Sequence, residues 1–525
     1  MVETQLYAHD VNQLEVKLGY RIEPNRSTQR YRVETFLFLP RTLGITPTSY
    51  SKSTFYEDTG AFMRLSTPRV SLAELGPEGT APLYTELERA LRQVLNGSTQ
   101  DAVPAVRLIK VLACVLKNSL RAETEDARKG LEEAVAQTGG SLRRDLLSVE
   151  LDGLADRISG AVTRLEELNA HAGDPSLPQR VRGAWEACDE FVSLEAEEAC
   201  TTLVAALDAL RSKSSTGLDG PRERFAKLAV ECYQHRRARG YGSFVEAGEE
   251  NEEILLRHRH AKRAMSSVLY LEVLRSESGA FWRNLAGMLA AAVAMLFAVI
   301  TTLWATSRFE MFSVAFVTIA VLSYVVKDRI KDLGKGLLGR RLSPGFDREV
   351  VVRDGELGMK LGTVRERFHI CDSTQVEPGI ASERLRHHGS AMAADARPES
   401  VICWTKEVSL SSAALAKHPL GVGGLTDIVR LNFDRLRARM SAPYEERNVV
   451  SPDSLEVRTV RCASIHHVNM LLRLSWDQGR QVRTQFVRVV LDQRGIKRVE
   501  PLYSHSKVTS SGAALSRPAT SEEWG

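Results

Sequence analysis

A chain of 525 residues, 43% hydrophobic and 26% charged, has the composition of a folded protein with room for two or three domains, which excludes a disordered chain. Its net charge of +4 is small for this length, so nucleic-acid binding is not expected. The cysteines number seven, an odd count without a CxxC pair, and fit reduced thiols rather than a disulfide framework.

The first residues, MVETQLYAHDVNQLEV, hold no basic region followed by an apolar run, so no cleaved signal peptide is expected. An N-terminal β-hairpin region is read over residues 1–79. Leu14, Val16, Leu18, Tyr20 and Ile22 alternate with polar residues, Pro24 to Ser27 supply a turn, and Tyr31 to Leu39 return. A helical bundle is expected over 80–276. Leu83, Leu87, Leu91 and Leu95 recur behind Pro82, and further apolar stripes follow between Gly and Pro punctuation. Its last helix is expected from about Glu249 to Leu274.

Residues 285–326 read as a transmembrane hairpin. Leu285 to Thr306 has no ionisable side chain and would reach about 33 Å, against a hydrocarbon core of roughly 30 Å. Met311 to Val326 is also free of charge but would reach only about 24 Å. The competing reading is a hairpin buried in a soluble core. Cations flank the pair and only Arg308 lies in the turn, which predicts cytoplasmic termini. Gly287, Ala290, Ala291, Ala294 and Ala298 form a small-residue ridge suited to close helix packing, either within the hairpin or with a second copy. Residues 327–344 form an amphipathic basic segment in which Lys327, Arg329, Lys331, Lys335, Arg340 and Arg341 are candidate contacts for anionic headgroups.

Residues 345–503 turn β-rich and predict a cytoplasmic α+β domain. Strands are read at Arg348 to Arg353, Leu361 to Cys371, Val401 to Leu410, Val457 to Trp476, Gln481 to Leu491 and Ile496 to Glu500. A helix is read over Leu425 to Met440, capped by Thr426 or Asp427 after the glycine-rich Gly421 to Gly424. Residues 504–525 are read as a disordered tail.

The fold class expected is therefore an α+β membrane protein. A two-helix transmembrane hairpin would separate the N-terminal β-hairpin and helical bundle from the C-terminal domain. No zinc-helix spacing, phosphate loop, nucleophile elbow or kinase signature occurs, so no cofactor and no metal is expected. His258 and His260, His387 and His388, and His466 and His467 have spacings that point to different faces. No acid or base lies between Arg283 and Arg308 or between Glu310 and Lys327, which offers nothing for transport.

The expected function is a membrane-anchored cytoplasmic scaffold, sensor or regulatory protein at a prokaryotic inner membrane. Its partners would be an anionic bilayer, a second copy and a cytoplasmic protein. One alternative is a membrane-bound enzyme using Asp427, Arg430, Asp434 and His466. Another is an oligomeric channel or membrane-disrupting effector.

Overall fold

Alternation in the first strands gives the architecture its starting point. Strand β1 (Val2–Ala8) pairs antiparallel with β2 (Gln13–Arg21), whose Leu14, Val16, Leu18 and Tyr20 are buried on one face. The computed structural model describes residues 2–23, 26–97, 102–136, 141–211, 218–245, 248, 251–275, 278–310, 313–342, 345–386, 399–419 and 423–508.

The partners of these strands lie far away in the chain. β3 (Thr28–Leu39), β4 (Thr59–Leu65), β5 (Tyr270–Arg275), β6 (Arg348–Arg353), β7 (Lys360–Asp372), β8 (Ser400–Ser411) and β9 (Gly424–Asn432) join one sheet. So do β12 (His466–Trp476), β13 (Gln481–Asp492) and β14 (Gly495–Val508). The sheet has twelve strands in the order β1-β2-β9-β4-β5-β6-β7-β8-β3-β12-β13-β14. It curls until its two ends meet: the Ile496 amide donates to the Val11 carbonyl at 2.7 Å. The result is a nearly closed antiparallel barrel. β10 (Tyr444–Val450) and β11 (Val457–Ala463) form a separate exposed ribbon.

This sheet overturns the expected fold class. The N-terminal hairpin is not a region of its own, because β2 pairs with β9 and β3 with both β8 and β12. The organising element is the sheet rather than a two-span hairpin, and the helical segment expected as a bundle is an insertion between β4 and β5. Two further readings change with it. Residues Leu425 to Asn432 form β9 rather than a helix, and only the short turn of helix Asp434–Arg437 is helical there. The alternation of Leu425, Asp427, Val429 and Leu431 is a strand period, disguised by a charge at an interior position. The helix read to Leu274 ends at Ser266, and the chain enters β5.

Two units divide the chain: residues 1–64, 271–418 and 424–525 in one, residues 65–270 and 419–423 in the other. Helix α1 (Lys52–Asp58) belongs to the first unit, and the second unit is helical, with α2 (Pro82–Leu95), α3 (Ala102–Ala136), α4 (Ser141–Ala172), α5 (Gln179–Arg211), α6 (Asp219–Ala238) and α7 (Glu252–Ser266). Its core includes Leu112, Trp185, Phe191, Leu203 and Phe225. Buried acids of α5 are all partnered. Asp189 accepts from Tyr241 at 2.8 Å and lies 3.0 Å from His235, while Glu190 accepts from Arg257.

In the first unit, α8 (Ser278–Arg308) and α9 (Val314–Leu342) form an antiparallel pair between β5 and β6. Among the described residues only Asn284–Arg308, 25 residues, is long and apolar enough to cross a membrane, which removes the second expected span. The reason is charge within one continuous helix. The apolar part of α9 ends at Val326 after about 20 Å of rise, and Lys327, Asp328, Arg329, Lys331 and Asp332 follow without a break.

Candidate functional site

β8 reads SVICWTKEVSLS, and its alternation places Ile402, Trp404, Lys406, Val408 and Leu410 on one face. That face looks into the barrel. Trp404 and Lys406 share a small void with Val16 and Leu18 of β2, Val33 and Thr35 of β3, Val429 and Leu431 of β9 and Leu472 of β12. Lys406 would be an isolated cation there but for Asp427, whose Oδ2 accepts from its Nζ at 2.5 Å. Tyr20 donates to the same oxygen at 3.2 Å, with its ring 4.7 Å from that of Tyr31. Burial pushes the Tyr20 hydroxyl well above its ordinary pKa, and the neighbouring carboxylate adds to the effect. Glu366 of β7 sits directly across from Lys406 and 3.9 Å from Arg348. Burial raises its carboxyl pKa against the opposing pull of Lys406 and Arg348.

The two voids in this interior measure about 10 and 20 Å³, room for about one water each. Among the described residues the barrel interior is a packed core with a charged centre. A larger space opens at the rim. A groove of about 710 Å³ runs between the β2–β3 connection and the β12–β13 turn. Glu23, Arg26, Gln29, Arg30, Trp476 and Arg480 line it. Arg26 bridges Glu23 at 3.2 Å and Asp477 at 2.6 Å across its floor. Asp477, Gln478 and Gly479 all take positive φ, the tight turn that brings Trp476 and Arg480 to one side. The groove offers mixed charge and one indole face.

The four residues considered for an enzyme do not converge. Asp427 is committed to Lys406 inside the barrel. Arg430, an odd number of residues along the same strand, faces outward to Glu15 at 2.6 Å. Asp434 pairs with Arg437 on the short helix Asp434–Arg437, and His466 begins β12. Of the other histidines, His258 lies 3.2 Å from Glu195, and His387 and His388 fall outside the described residues. Residues 420–422 of the glycine-rich stretch and 509–525 of the tail also fall outside them, while β14 continues to Val508.

Along α8, Ala290 and Ala294 are buried in line with Ala286, and Ala291 and Ala298 are half-buried. Gly334 of α9 approaches so closely that a Cβ there would stand 3.1 Å from the Ala290 methyl, whereas Gly287 meets nothing within 4 Å. Ala290 and Ala294 thus face α9, and Gly287 does not. The other side of α8 is uncovered: only 17% of its most apolar window is buried. Leu296, Ile300 and Leu303 are each more than half exposed. On α9, Lys327 lies 4.0 Å from the ring centre of Tyr324, and Arg329, Lys331 and Lys335 are exposed beside Leu333 and Leu337. Arg340 and Arg341 belong to the same helix.

Lys406, Tyr20 and Glu366 escaped the sequence reading. The available signal was parity, since Lys406 shares the inward register of Trp404 and Val408, and Glu366 that of Val364 and Phe368. No protein-family model, no curated protein and no solved structure matches this chain.

Proposed function

We propose that this protein is a membrane-tethered regulatory or sensor protein that works by binding, with α8 as its anchor. The observation that carries the reading is the uncovered apolar side of α8, including Leu296, Ile300 and Leu303. Among the described residues nothing covers this apolar face, and such faces mark membrane or protein contacts. The cation-rich end of α9, with Lys331 and Lys335 exposed, suits an anionic cytoplasmic surface. The rim groove is the surface that would receive a cytoplasmic partner. The packed barrel interior favours binding over catalysis.

Flotation with vesicles containing anionic lipid tests the tether. The full chain should float with the vesicles and resist salt extraction. Leu296→Glu, Ile300→Glu and Leu303→Glu combined should shift most of it to the soluble fraction. Lys331→Gln with Lys335→Gln should weaken only a salt-sensitive part of the binding. Wild-type protein that stays soluble and monodisperse without detergent, and does not float, would refute the proposal.

A further inference from the structure

The outward face of β7 and β8 carries a second constellation. β7 sends Val364, Glu366 and Phe368 inward and therefore His369 and Cys371 outward, and β8 presents Cys403 on the same outer side. Register brings them together. His369 pairs directly with Cys403, and Cys371 pairs with Val401 two residues along. The two sulfurs stand 3.5 Å apart, and one nitrogen of His369 and both sulfurs lie within 4.8 Å of one another. All three belong to paired strands, so the constellation is fixed by backbone rather than by a loop.

We propose that His369, Cys371 and Cys403 bind a zinc ion through one imidazole and two thiolates. A tetrahedral zinc with Zn–S bonds of about 2.3 Å separates two thiolates by roughly 3.8 Å, within a few tenths of an ångström of the 3.5 Å present here. The donor set is soft, as zinc prefers, and contains no hard oxygen that would favour magnesium or calcium. An apolar wall of Phe38, Val376, Ile380 and Val401 surrounds Cys403 and keeps water from its sulfur. His369 is on the exposed side. Three protein ligands leave a fourth position on that side for water or a small donor. The site lies outside the rim groove and does not depend on the tether. The other group of possible ligands, Glu195, Glu198 and His258, carries no such reading, because Lys117 already neutralises Glu195.

Cobalt substitution tests the site in the full-length, reduced protein. One equivalent of Co²⁺ should produce the near-ultraviolet thiolate-to-cobalt band, and Zn²⁺ should bleach it at one equivalent. Cys371→Ser should abolish the band. His369→Gln, a change at an exposed position that leaves the core intact, should weaken binding at least tenfold. Cys462→Ser, on the exposed β11 ribbon, should change nothing. No thiolate band in wild type, an undiminished band in Cys371→Ser, or equal affinity in His369→Gln would each overturn the proposal.

Discussion

The Lys406–Asp427 pair offers the sharpest test of the barrel interior. Its side chains are 3% and 0% exposed and 2.5 Å apart, so solvent does not screen the interaction. Lys406→Met keeps the length and apolar stem of the side chain but leaves Asp427 as a buried carboxylate. Tyr20 then remains as its hydrogen-bond donor, since Asp427 Oδ1 has no partner. Breaking one side of such a pair costs about 3–5 kcal/mol, roughly a hundred- to several-thousand-fold in the folded-to-unfolded ratio. Lys406→Met combined with Asp427→Leu removes both desolvated charges and should recover most of that loss. Hydrogen exchange of the β8 and β9 amides reads the effect where it acts and separates it from unfolding of the helical unit. Losses in the single and double variants that simply add would refute the reasoning. So would a Lys406→Met chain whose β8 amides exchange at the wild-type rate.

Two further outcomes follow from the outer face and the seam of the sheet. Burial would raise the pKa of Glu15, but hydrogen bonds from Tyr7, Arg430 and Lys17 overcome it and hold the carboxyl down at about 2. Because the folded value is the lower one, Glu15 stabilises the fold fully above its unfolded value near 4.5 and loses that contribution as pH falls toward 2. Glu15→Gln should flatten acid unfolding over that window in a urea titration at several pH values, and an unchanged slope would count against the assignment. At the seam, a Cβ on Gly495 would stand 2.3 Å from the Val11 carbonyl oxygen, and the backbone there has φ 145°. Gly495→Ala should therefore break the adjacent Ile496–Val11 hydrogen bond and destabilise the protein by about 1–3 kcal/mol, with faster exchange in β1 and β14. Unaltered protection in both strands would show that the seam is not closed there.

How much of this was legible varies with the range of the interactions. β6 coincides with the strand read over Arg348 to Arg353, and β7, β8 and β13 extend theirs by a residue or so, because alternation is a local property. β9 was hidden by Asp427, whose charge reads as solvent-exposed until Lys406 is seen beside it. That pairing depends on register across a sheet, which no local window contains. The cysteine constellation was hidden in the same way. Cys371 and Cys403 show no CxxC spacing because neighbouring strands, rather than a turn, set the distance between them. The apolar run of α8 was plain from composition alone. The second span was misread because the charge-free window ending at Val326 was weighed apart from the charged helix that continues it.

The connectivity of the sheet links these features. β4, β5 and β6 are neighbours, yet the helical unit separates the first two in sequence and the α8–α9 pair separates the last two. Both insertions thus leave the barrel from adjacent strands, an arrangement that demands a sheet able to form without help from what is inserted. The packed interior meets that demand: β7 and β8 are cross-braced by Glu366 and Lys406, and Asp427 of β9 joins them through space. β5 and β6, at the root of α8 and α9, are short and pair over only Glu272 to Arg275, with Arg353 closing on Glu272 at 2.8 Å. α8 follows β5 directly, α9 leads into β6, and β6 pairs in turn with β7. That strand carries Glu366 on its inner side and two of the three proposed zinc ligands on its outer side.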